Sequence, residues 1–251
     1  MKLIWLSANK LGYELLKEAV NIKNTNIIGI ITLDKNASTV MYDGVSEEVW
    51  HDFDIPVYKI KVLNEEKELI KKLSADLIIM CGWRQIIDKS ILEIPKKGFI
   101  GFHPTLLPKG RGSAPIINSI LQDFKNSGLT RFYVGEGLDN GDIIGQEEFV
   151  INKDDYAKDV YQKVIESGRN LIRKYLPLLI KGKAPRIQQE DSKATFFKKL
   201  SLKDNEIDLN KESAEEIYRK IRALSKPYAG AYIKKENKKL IIWKAGLEEI
   251  K

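Results

Sequence analysis

The chain has only two histidines, His51 and His103, and their surroundings differ. His103 follows the apolar run of residues 99–102 and is itself followed at once by Pro104. An imidazole changes charge near neutral pH, which suits a general acid or base in acyl transfer to an amine. The alternative is a histidine that only hydrogen-bonds to loop backbone, and position alone does not decide between the two. We expect His51 at the surface.

The loop after His103 has the composition of a stiff segment that exposes its backbone. Residues 101–115 contain Pro104, Pro108 and several glycines, which restrict or open the backbone at fixed positions. Ser113 and Pro115 suit the start of a short helix, whose N-terminus would favour an anion. This loop is therefore the first candidate site.

A second candidate is the Asp-Asn-Gly-Asp run at residues 139–142, which lies between two predicted strands at residues 131–134 and 143–150. Such residues are strong turn formers, so a plain hairpin with both aspartates capping the turn is one interpretation. The other is that a carboxylate projects from the turn toward His103. It would then orient the imidazole and raise its basicity.

The first half of the chain alternates short apolar runs with helical patterns, which favours an α/β fold with a parallel sheet covered on both faces. Ligands in such sheets bind beyond the carboxyl ends of the strands, so residues just after Cys81 and Phe102 should line the site. The predicted strands are residues 3–6, 27–32, 77–81 and 99–102, and the predicted helices between them are residues 12–22 and 65–73.

The second half predicts a long helix over residues 154–180 and then a mostly polar linker at residues 186–193. Ser213 and Glu216 form the pattern of a capping box that opens another helix. A pair of strands follows, joined by a lysine-rich turn. This tail is too short to be independent, so we expect it to pack on the main domain. The predicted domains are residues 1–188 and a small mixed α+β domain of residues 189–251.

Composition limits the classes of protein that remain. The net charge is +7, from 42 Lys+Arg against 35 Asp+Glu, which fits a solvated lysine-rich surface or attraction for an anionic substrate. The single cysteine, Cys81, excludes an intramolecular disulfide and a cysteine-based metal cluster, and its apolar surroundings favour a buried hydrophobe. Without a signal sequence or membrane span, we expect a cytoplasmic protein with no membrane partner.

Two segments of the chain resemble the folate-dependent formyltransferase family. Residues 101–115 are similar to that family's Asn-x-His-Pro-Ser-Leu-Leu-Pro loop with its following Arg-Gly and Ala-Pro. Residues 138–142 are similar to its Leu-Asp-Thr/Gly-Gly-Asp motif, and His103 precedes Asp139 by 36 residues, as in the family. Residues 207–231 also resemble the start of the family's C-terminal domain. The resemblance implies a Rossmann-like formyltransferase domain followed by a small C-terminal domain.

The resemblance implies that His103 and Asp139 are catalytic, with His103 moving protons and polarising the formyl oxygen. It also implies N10-formyltetrahydrofolate as co-substrate and no metal. The site residues expected to bind the folate are Trp83, Arg84, Gln85, Ile86, Leu138 and Asp142, and those expected to bind the acceptor substrate are Thr105, Lys109, Arg111 and Gly112. Lys109 and Arg111 can meet a diphosphate, although a surface role for Lys109 stays open.

Members of the family formylate different amines, so the resemblance alone does not name the acceptor. The tail of about sixty residues is near the length of the shorter sugar-formylating relatives, so we expect a nucleotide-linked amino sugar as substrate. Transfer RNA, as in the methionyl-tRNA formyltransferases, is the second choice and other amines come after it. A non-catalytic folate-binding relative is the contrasting alternative. Members of the family can be homodimers, which we also expect here.

One residue departs from the family's motif. Gly101 stands where the family has a catalytic asparagine, whose amide is thought to hydrogen-bond the developing oxyanion. Losing one such donor typically costs about 2.7–4 kcal/mol. The imidazolium of His103, a water or another side chain such as Asn118 or Asn140 could replace it; otherwise the enzyme is slow, or the chain binds ligand without turnover.

Overall fold

The computed structural model describes residues 1–250 and contains a mostly parallel α/β sheet with a smaller unit after it, as predicted. The strands are β1 (Lys2–Leu6), β2 (Asn26–Leu33), β3 (Val57–Ile60), β4 (Leu77–Met80), β5 (Phe99–His103), β6 (Arg111–Gly112), β7 (Asn126–Val134), β8 (Ile143–Val150), β9 (Phe196–Phe197), β10 (Ala231–Lys235) and β11 (Lys238–Ile242). The helices are α1 (Lys10–Ala19), α2 (Lys67–Leu73), α3 (Lys89–Leu92), α4 (Pro115–Leu121), α5 (Ala157–Ile180) and α6 (Ala214–Leu224).

Seven strands form the central sheet in the order β3-β2-β1-β4-β5-β7-β8. The first five are parallel, whereas β7 and β8 are antiparallel to their neighbours. The strand order reverses between β1 and β4, and such a switch point is where open α/β sheets bind ligands. The carboxyl end of β5, which carries His103, lies at the same edge of the sheet.

The core lies on both faces of the sheet, which explains why the strands read as unbroken apolar runs. One face packs against α1, α4, α5 and α6, and the other packs against α2 and α3. Leu3, Trp5 and Ile79 point to the first face, and Ile4, Leu6 and Ile78 point to the second. All six are 1% exposed or less, so the edge that holds the site rests on a rigid support.

Most predicted elements are confirmed, with small shifts at their ends. The long helix begins at Ala157 rather than at residue 154. Asp155 ends the preceding turn instead, because its carboxylate accepts hydrogen bonds from Asn152 and binds Lys163. The capping box at Ser213 is present, with Ser213 and Glu216 bonded to each other's backbone N–H. The short edge strand β3 was not predicted.

Residues 186–193, predicted as a linker, connect the two parts of the chain, but they also contact the sheet domain. Gln189 is only 6% exposed, and Ile187 forms an antiparallel bridge with Ile143. We call residues 186–197 the brace segment, because they run first beside the turn at residues 139–142 and then beside the His103 loop. The predicted domain boundary after residue 188 falls inside this segment and stays a prediction.

The C-terminal part packs on the main sheet domain, as expected. The hydroxyl of Tyr218 in α6 donates to Asp154, and the guanidinium of Arg222 donates to the Asp155 carbonyl just before α5. Strands β10 and β11 pair as the predicted hairpin, and β9 pairs in parallel with β6 of the His103 loop. The second half of the chain therefore contributes directly to the surroundings of the candidate site.

Candidate active site

His103 lies at the end of β5 with both ring nitrogens beside hydrogen-bond acceptors. Its Nε2 is 2.7 Å from the carbonyl oxygen of Gly110, and its Nδ1 is 3.5 Å from Oδ2 of Asp139. The ring can donate to both neighbours only when both nitrogens carry protons. The contact to Gly110 is the hydrogen bond to loop backbone that the sequence offered as the alternative role of His103. The carboxylate of Asp139 adds the acid–base pair that proton transfer requires.

Asp139 is aimed at His103 by an unusual backbone conformation. Its φ is +47°, in the left-handed region that few residues other than glycine, asparagine and aspartate adopt. The backbone N–H of Gly112 donates to Asp139 Oδ2 over 2.9 Å. The same oxygen therefore faces both the His103 ring and the loop, so the structure brings the two predicted catalytic residues together.

Neighbouring segments add to the hydrogen bonds that the His103 loop makes within itself. Thr130, opposite His103 on β7, donates to the Thr105 carbonyl over 2.6 Å and accepts from the Leu107 N–H over 3.0 Å. Gly110 has φ of +70°, and a Cβ there would lie 2.7 Å from the ring of Phe197 in the brace segment. Only glycine fits that approach, which explains the glycine-rich end of the loop.

Gly101 is enclosed by apolar side chains. It lies on the same sheet face as His103, directly opposite Phe132 on β7. A Cβ at Gly101 would be 3.0 Å from Cε1 of Phe132 and 3.2 Å from Cγ2 of Val134. The space where the family's asparagine would start is therefore taken by a buried phenyl ring, 3% exposed.

The two asparagines considered as substitutes are placed differently. The amide of Asn118 donates to the carbonyls of Ser113, Ala114 and Lys198, so it holds the start of α4. The amide of Asn140 lies over Gly137 within its own turn. What replaces the asparagine amide stays open, and Asn118 is already engaged elsewhere.

Four of the residues predicted to bind folate follow β4, whereas Leu138 and Asp142 lie between β7 and β8, and part of the set lies at the surface. Ile86 is 87% exposed and Leu138 is 59% exposed, so both offer apolar surface at the edge of the sheet. The indole Nε1 of Trp83 is buried and has no hydrogen-bond partner among residues 1–250. Gln85 is engaged internally, because it accepts from the Leu63 N–H and donates to Thr39 and to the Lys61 carbonyl.

Arg84 and Asp142, also predicted to bind folate, are both paired with other side chains. Arg84 forms an ion pair of 2.8 Å with Asp43, whose other oxygen accepts from Asn9 and Tyr161. Burial, followed by the adjacent Asp43 carboxylate, raises the pKa of Tyr161, so its hydroxyl stays a neutral donor. Asp142 pairs with Arg186 of the brace segment over 3.1 Å.

Of the residues predicted to bind the acceptor, Lys109 is exposed whereas Thr105 and Arg111 are buried. The Arg111 guanidinium donates twice to Oε1 of Gln189 and pairs with Asp191 over 2.7 Å. Contact with a diphosphate would require Arg111 to leave these partners. Gly112 has φ of +106° and uses its N–H on Asp139.

A cavity of about 510 Å³ opens at the same edge of the sheet, beyond β1 and β2. Its walls are Ala8 and the residues after β2, including Asp34, Lys35 and Glu48, and they do not include the His103 loop. Neighbouring strands lie roughly 4.8 Å apart. With β4 and β1 lying between β5 and β2, the cavity is about three strand spacings, on the order of 14 Å, from His103.

Other groups considered from the sequence lie away from the site. Cys81 is fully buried in the core, and burial raises the pKa of its thiol well above the ordinary range. His51 is exposed, as expected. Across residues 1–250, no three His, Cys, Asp or Glu side chains are grouped as metal ligands would be. In the same residues, no helix combines the length and apolar character of a membrane span.

The chain matches the family model described as "Formyl transferase" over residues 1–176 and the one described as "Formyl transferase, C-terminal domain" over residues 199–251. It is 33% identical over 248 residues to the bifunctional polymyxin resistance protein ArnA of Wigglesworthia glossinidia brevipalpis, which covers 98% of this chain. It is 40% identical over 191 residues to methionyl-tRNA formyltransferase of Halalkalibacterium halodurans, which covers 75% of this chain. The chain spans 38% and 60% of the lengths of these two relatives.

Among solved structures, a sugar N-formyltransferase from Shewanella sp FDAARGOS_354 aligns with a TM-score of 0.78 at 20% identity, covering 100% of this chain and 99% of its own. An N-formyltransferase from Helicobacter canadensis, in complex with folinic acid and dTDP-3-aminofucose, aligns with a TM-score of 0.65 at 25% identity, covering 89% and 80%. The fold, the paired motifs and the two matched family models agree. The chain belongs to the formyl transferase family.

Proposed function

We propose that this protein transfers a formyl group from N10-formyltetrahydrofolate to the primary amine of a nucleotide-linked amino sugar. The observation that carries the proposal is the pair of His103 and Asp139, with Nδ1 and Oδ2 3.5 Å apart at the carboxyl edge of the sheet. Two motifs that are far apart in the sequence supply this pair. A general base held by a carboxylate is what amine acylation needs.

In the proposed reaction the Nε2 of His103 leaves the Gly110 carbonyl, takes the proton from the attacking amine and returns one to the departing nitrogen. Asp139 holds the ring and stabilises its charged form. The donor supplies an electrophilic formyl carbon, and tetrahydrofolate leaves. Because the loop and the turn are held from several sides, the pair is set in place before substrate arrives, which lowers the entropic cost of reaction.

The residues after β4 fit a folate in part. A flat pterin needs apolar surface and polar groups along one edge. Ile86, after β4, and Leu138, after β7, supply exposed apolar surface at this edge of the sheet. Gln85 and Arg84 are engaged by the protein, so we expect backbone groups of this segment to make the polar contacts.

Two findings bear on the acceptor. The solved structures with the fold of this chain include sugar N-formyltransferases, and the one from Helicobacter canadensis contains a dTDP-linked amino sugar. Against this, the methionyl-tRNA formyltransferases reach 40% identity, so charged initiator tRNA is the second candidate.

The test incubates the protein with N10-formyltetrahydrofolate and dTDP-, UDP- and GDP-linked amino sugars, with charged initiator tRNA in a parallel reaction. Mass spectrometry follows the gain of one formyl group on each acceptor. We expect formylation of a nucleotide sugar. Formylation of the tRNA alone would replace the sugar proposal by the second candidate, and folate binding without any product would indicate a non-catalytic relative.

His103→Ala and Asp139→Asn are the matching variants for this assay. Asparagine at position 139 can still accept the Gly112 N–H, but it loses the charge that faces His103. Each variant should lower the formylation rate by about 10²-fold or more while keeping the melting temperature within a few degrees. Near-wild-type rates would remove the pair from the mechanism.

A further inference from the structure

We propose that Gln189 is a positioning residue. Its side-chain amide joins the His103 loop to the turn at residues 139–142 and so holds Asp139 beside His103. The inference rests on the proposed function, because it assumes that the pair of His103 and Asp139 is catalytic. Gln189 lies in the first part of the brace segment, residues 186–193, whose sequence is mostly polar. Its side chain touches neither His103 nor the carboxylate of Asp139, so it acts through other groups.

The amide of Gln189 uses both of its ends. Oε1 accepts from Nε and Nη2 of Arg111 over 3.1 and 2.8 Å. Nε2 donates to the carbonyls of Asp139 and Gly141 over 2.9 and 2.7 Å. The residue is 6% exposed. One buried side chain therefore satisfies four polar groups, two in the His103 loop and two in the Asp139 turn.

The bond to the Asp139 carbonyl bears on the aim of the carboxylate. Asp139 adopts a left-handed conformation with φ of +47°, which is strained for an L-residue. Such a conformation persists only when the surrounding structure holds it. Gln189 fixes the peptide unit that follows Asp139 through the Asp139 carbonyl, and its second bond fixes the Gly141 carbonyl two residues later in the same turn.

The neighbouring contacts of the brace segment fix the ends of the same turn. Arg186 pairs with Asp142, and Ile187 exchanges two backbone hydrogen bonds with Ile143. Farther along, the Thr195 backbone and hydroxyl bind Gly110 and Arg111 of the His103 loop. Gln189 lies between these contacts, and its side chain spans from the turn to the loop.

Gln189→Glu separates the two halves of the clamp. A carboxylate keeps, and strengthens, the acceptor that faces Arg111. It also replaces the NH₂ donor with an oxygen that would lie within 3 Å of the two carbonyl oxygens, which is repulsive. The turn must then move away from the loop. Gln188→Glu is the matched control, because it makes the same chemical change at the adjacent, exposed position.

The first measurement compares steady-state kinetics of formyl transfer. For Gln189→Glu we expect kcat to fall by about 10²-fold, because misplacing a catalytic group by about 1 Å can cost that much. The KM for the acceptor should change less than about threefold. Gln189→His, which can still donate to a carbonyl, should recover part of kcat. A Gln189→Glu enzyme with wild-type kcat would overturn the proposal.

The second measurement needs no turnover and therefore separates this proposal from the proposed function. The chain has two histidines, so nitrogen NMR of a ¹⁵N-labelled sample resolves one pair of ring signals for each. In Gln189→Glu the His103 ring signals should shift while those of exposed His51 stay, and Gln188→Glu should change neither. Unchanged His103 signals would overturn the positioning role, even if the protein formylates none of the acceptors.

Discussion

At the scale of single residues, the packing of Gly101 against Phe132 decides what a substitution there can do. A Cβ at Gly101 would approach the Phe132 ring to 3.0 Å, closer than ordinary contact distance. An asparagine added at Gly101 alone therefore requires the Phe132 ring to shift by a few tenths of an ångström. Gly101 and Phe132 are best regarded as one paired feature of the two adjacent strands.

Gly101→Asn should therefore lower the free energy of unfolding by about 1–3 kcal/mol and should not raise the rate of formyl transfer. In Gly101→Asn/Phe132→Ala the loss should be smaller than the sum of the two single losses, because the asparagine fills the space left by the ring. Urea unfolding of the four proteins gives the coupling. Additive losses would show that the two side chains do not compete for space.

The sequence, through its resemblance to the family, predicts His103 and Asp139 as a pair and the departure at Gly101, because residue type and spacing carry those features. It does not show Phe132, whose role depends on the register of β5 against β7. It also does not show Gln189, since a glutamine among polar residues has no pattern that distinguishes a buried clamp from a solvated side chain. Both depend on contacts between segments far apart in the chain.

At the scale of elements, the short turn before α6 is held by Asp204. Hydrogen bonds from the Ser201 hydroxyl and backbone N–H, with Lys198 nearby, hold the pKa of Asp204 at about 2. A carboxyl whose pKa is lowered on folding stabilises the folded protein at pH values above its pKa in the unfolded chain, which is roughly 3.9. That contribution is lost as the pH falls from about 4 toward 2.

Asp204→Asn should consequently lower the melting temperature at neutral pH, and the difference from wild type should shrink as the pH falls below about 4. Calorimetry between pH 2.5 and 7 measures this difference, with activity as a second readout that should not change at neutral pH. A difference that is constant with pH would mean that the charge of Asp204 contributes nothing.

The sequence predicts helices and strands well where one apolar periodicity dominates. It fails for strands that form only because a partner strand is present. The apolar runs of β1, β2, β4 and β5 and the stripe of α5 are confirmed because burial on both faces or on one stripe leaves a clear pattern. The edge strand β3 has only four residues, and β6 and β9 have two each. Such strands exist because a partner is present, so their own residues do not predict them.

At the scale of the whole molecule, the two family-matched parts are joined at several points. Tyr218 of α6 donates to Asp154 over 2.9 Å, and this carboxylate, after burial, raises the pKa of the phenol. The sheet domain and the C-terminal part should therefore unfold together. The predicted homodimer stays a prediction. Leu240 and Ile241 of β11, 62% and 42% exposed, are exposed apolar residues on the C-terminal part where such an interface would be sought.

Tyr218→Phe should lower the free energy of unfolding by about 1 kcal/mol without changing kcat, and unfolding should stay a single transition. Tyr13→Phe, which removes a phenol bonded to Asp52 within the sheet domain, is the control for losing a similar bond. Two separate unfolding transitions, of which only that of the C-terminal part shifts in Tyr218→Phe, would show that the two parts are independent.

The position of the brace segment has a consequence for how relatives of this protein can exchange parts. The two matched stretches end at residue 176 and begin again at residue 199, yet the side chains that join the turn at residues 139–142 to the His103 loop lie between them. A chimaera joined at residue 176 would take the clamp from one parent and the motifs from the other. A junction placed after Phe197 keeps them together, so C-terminal parts are best exchanged from that point onward.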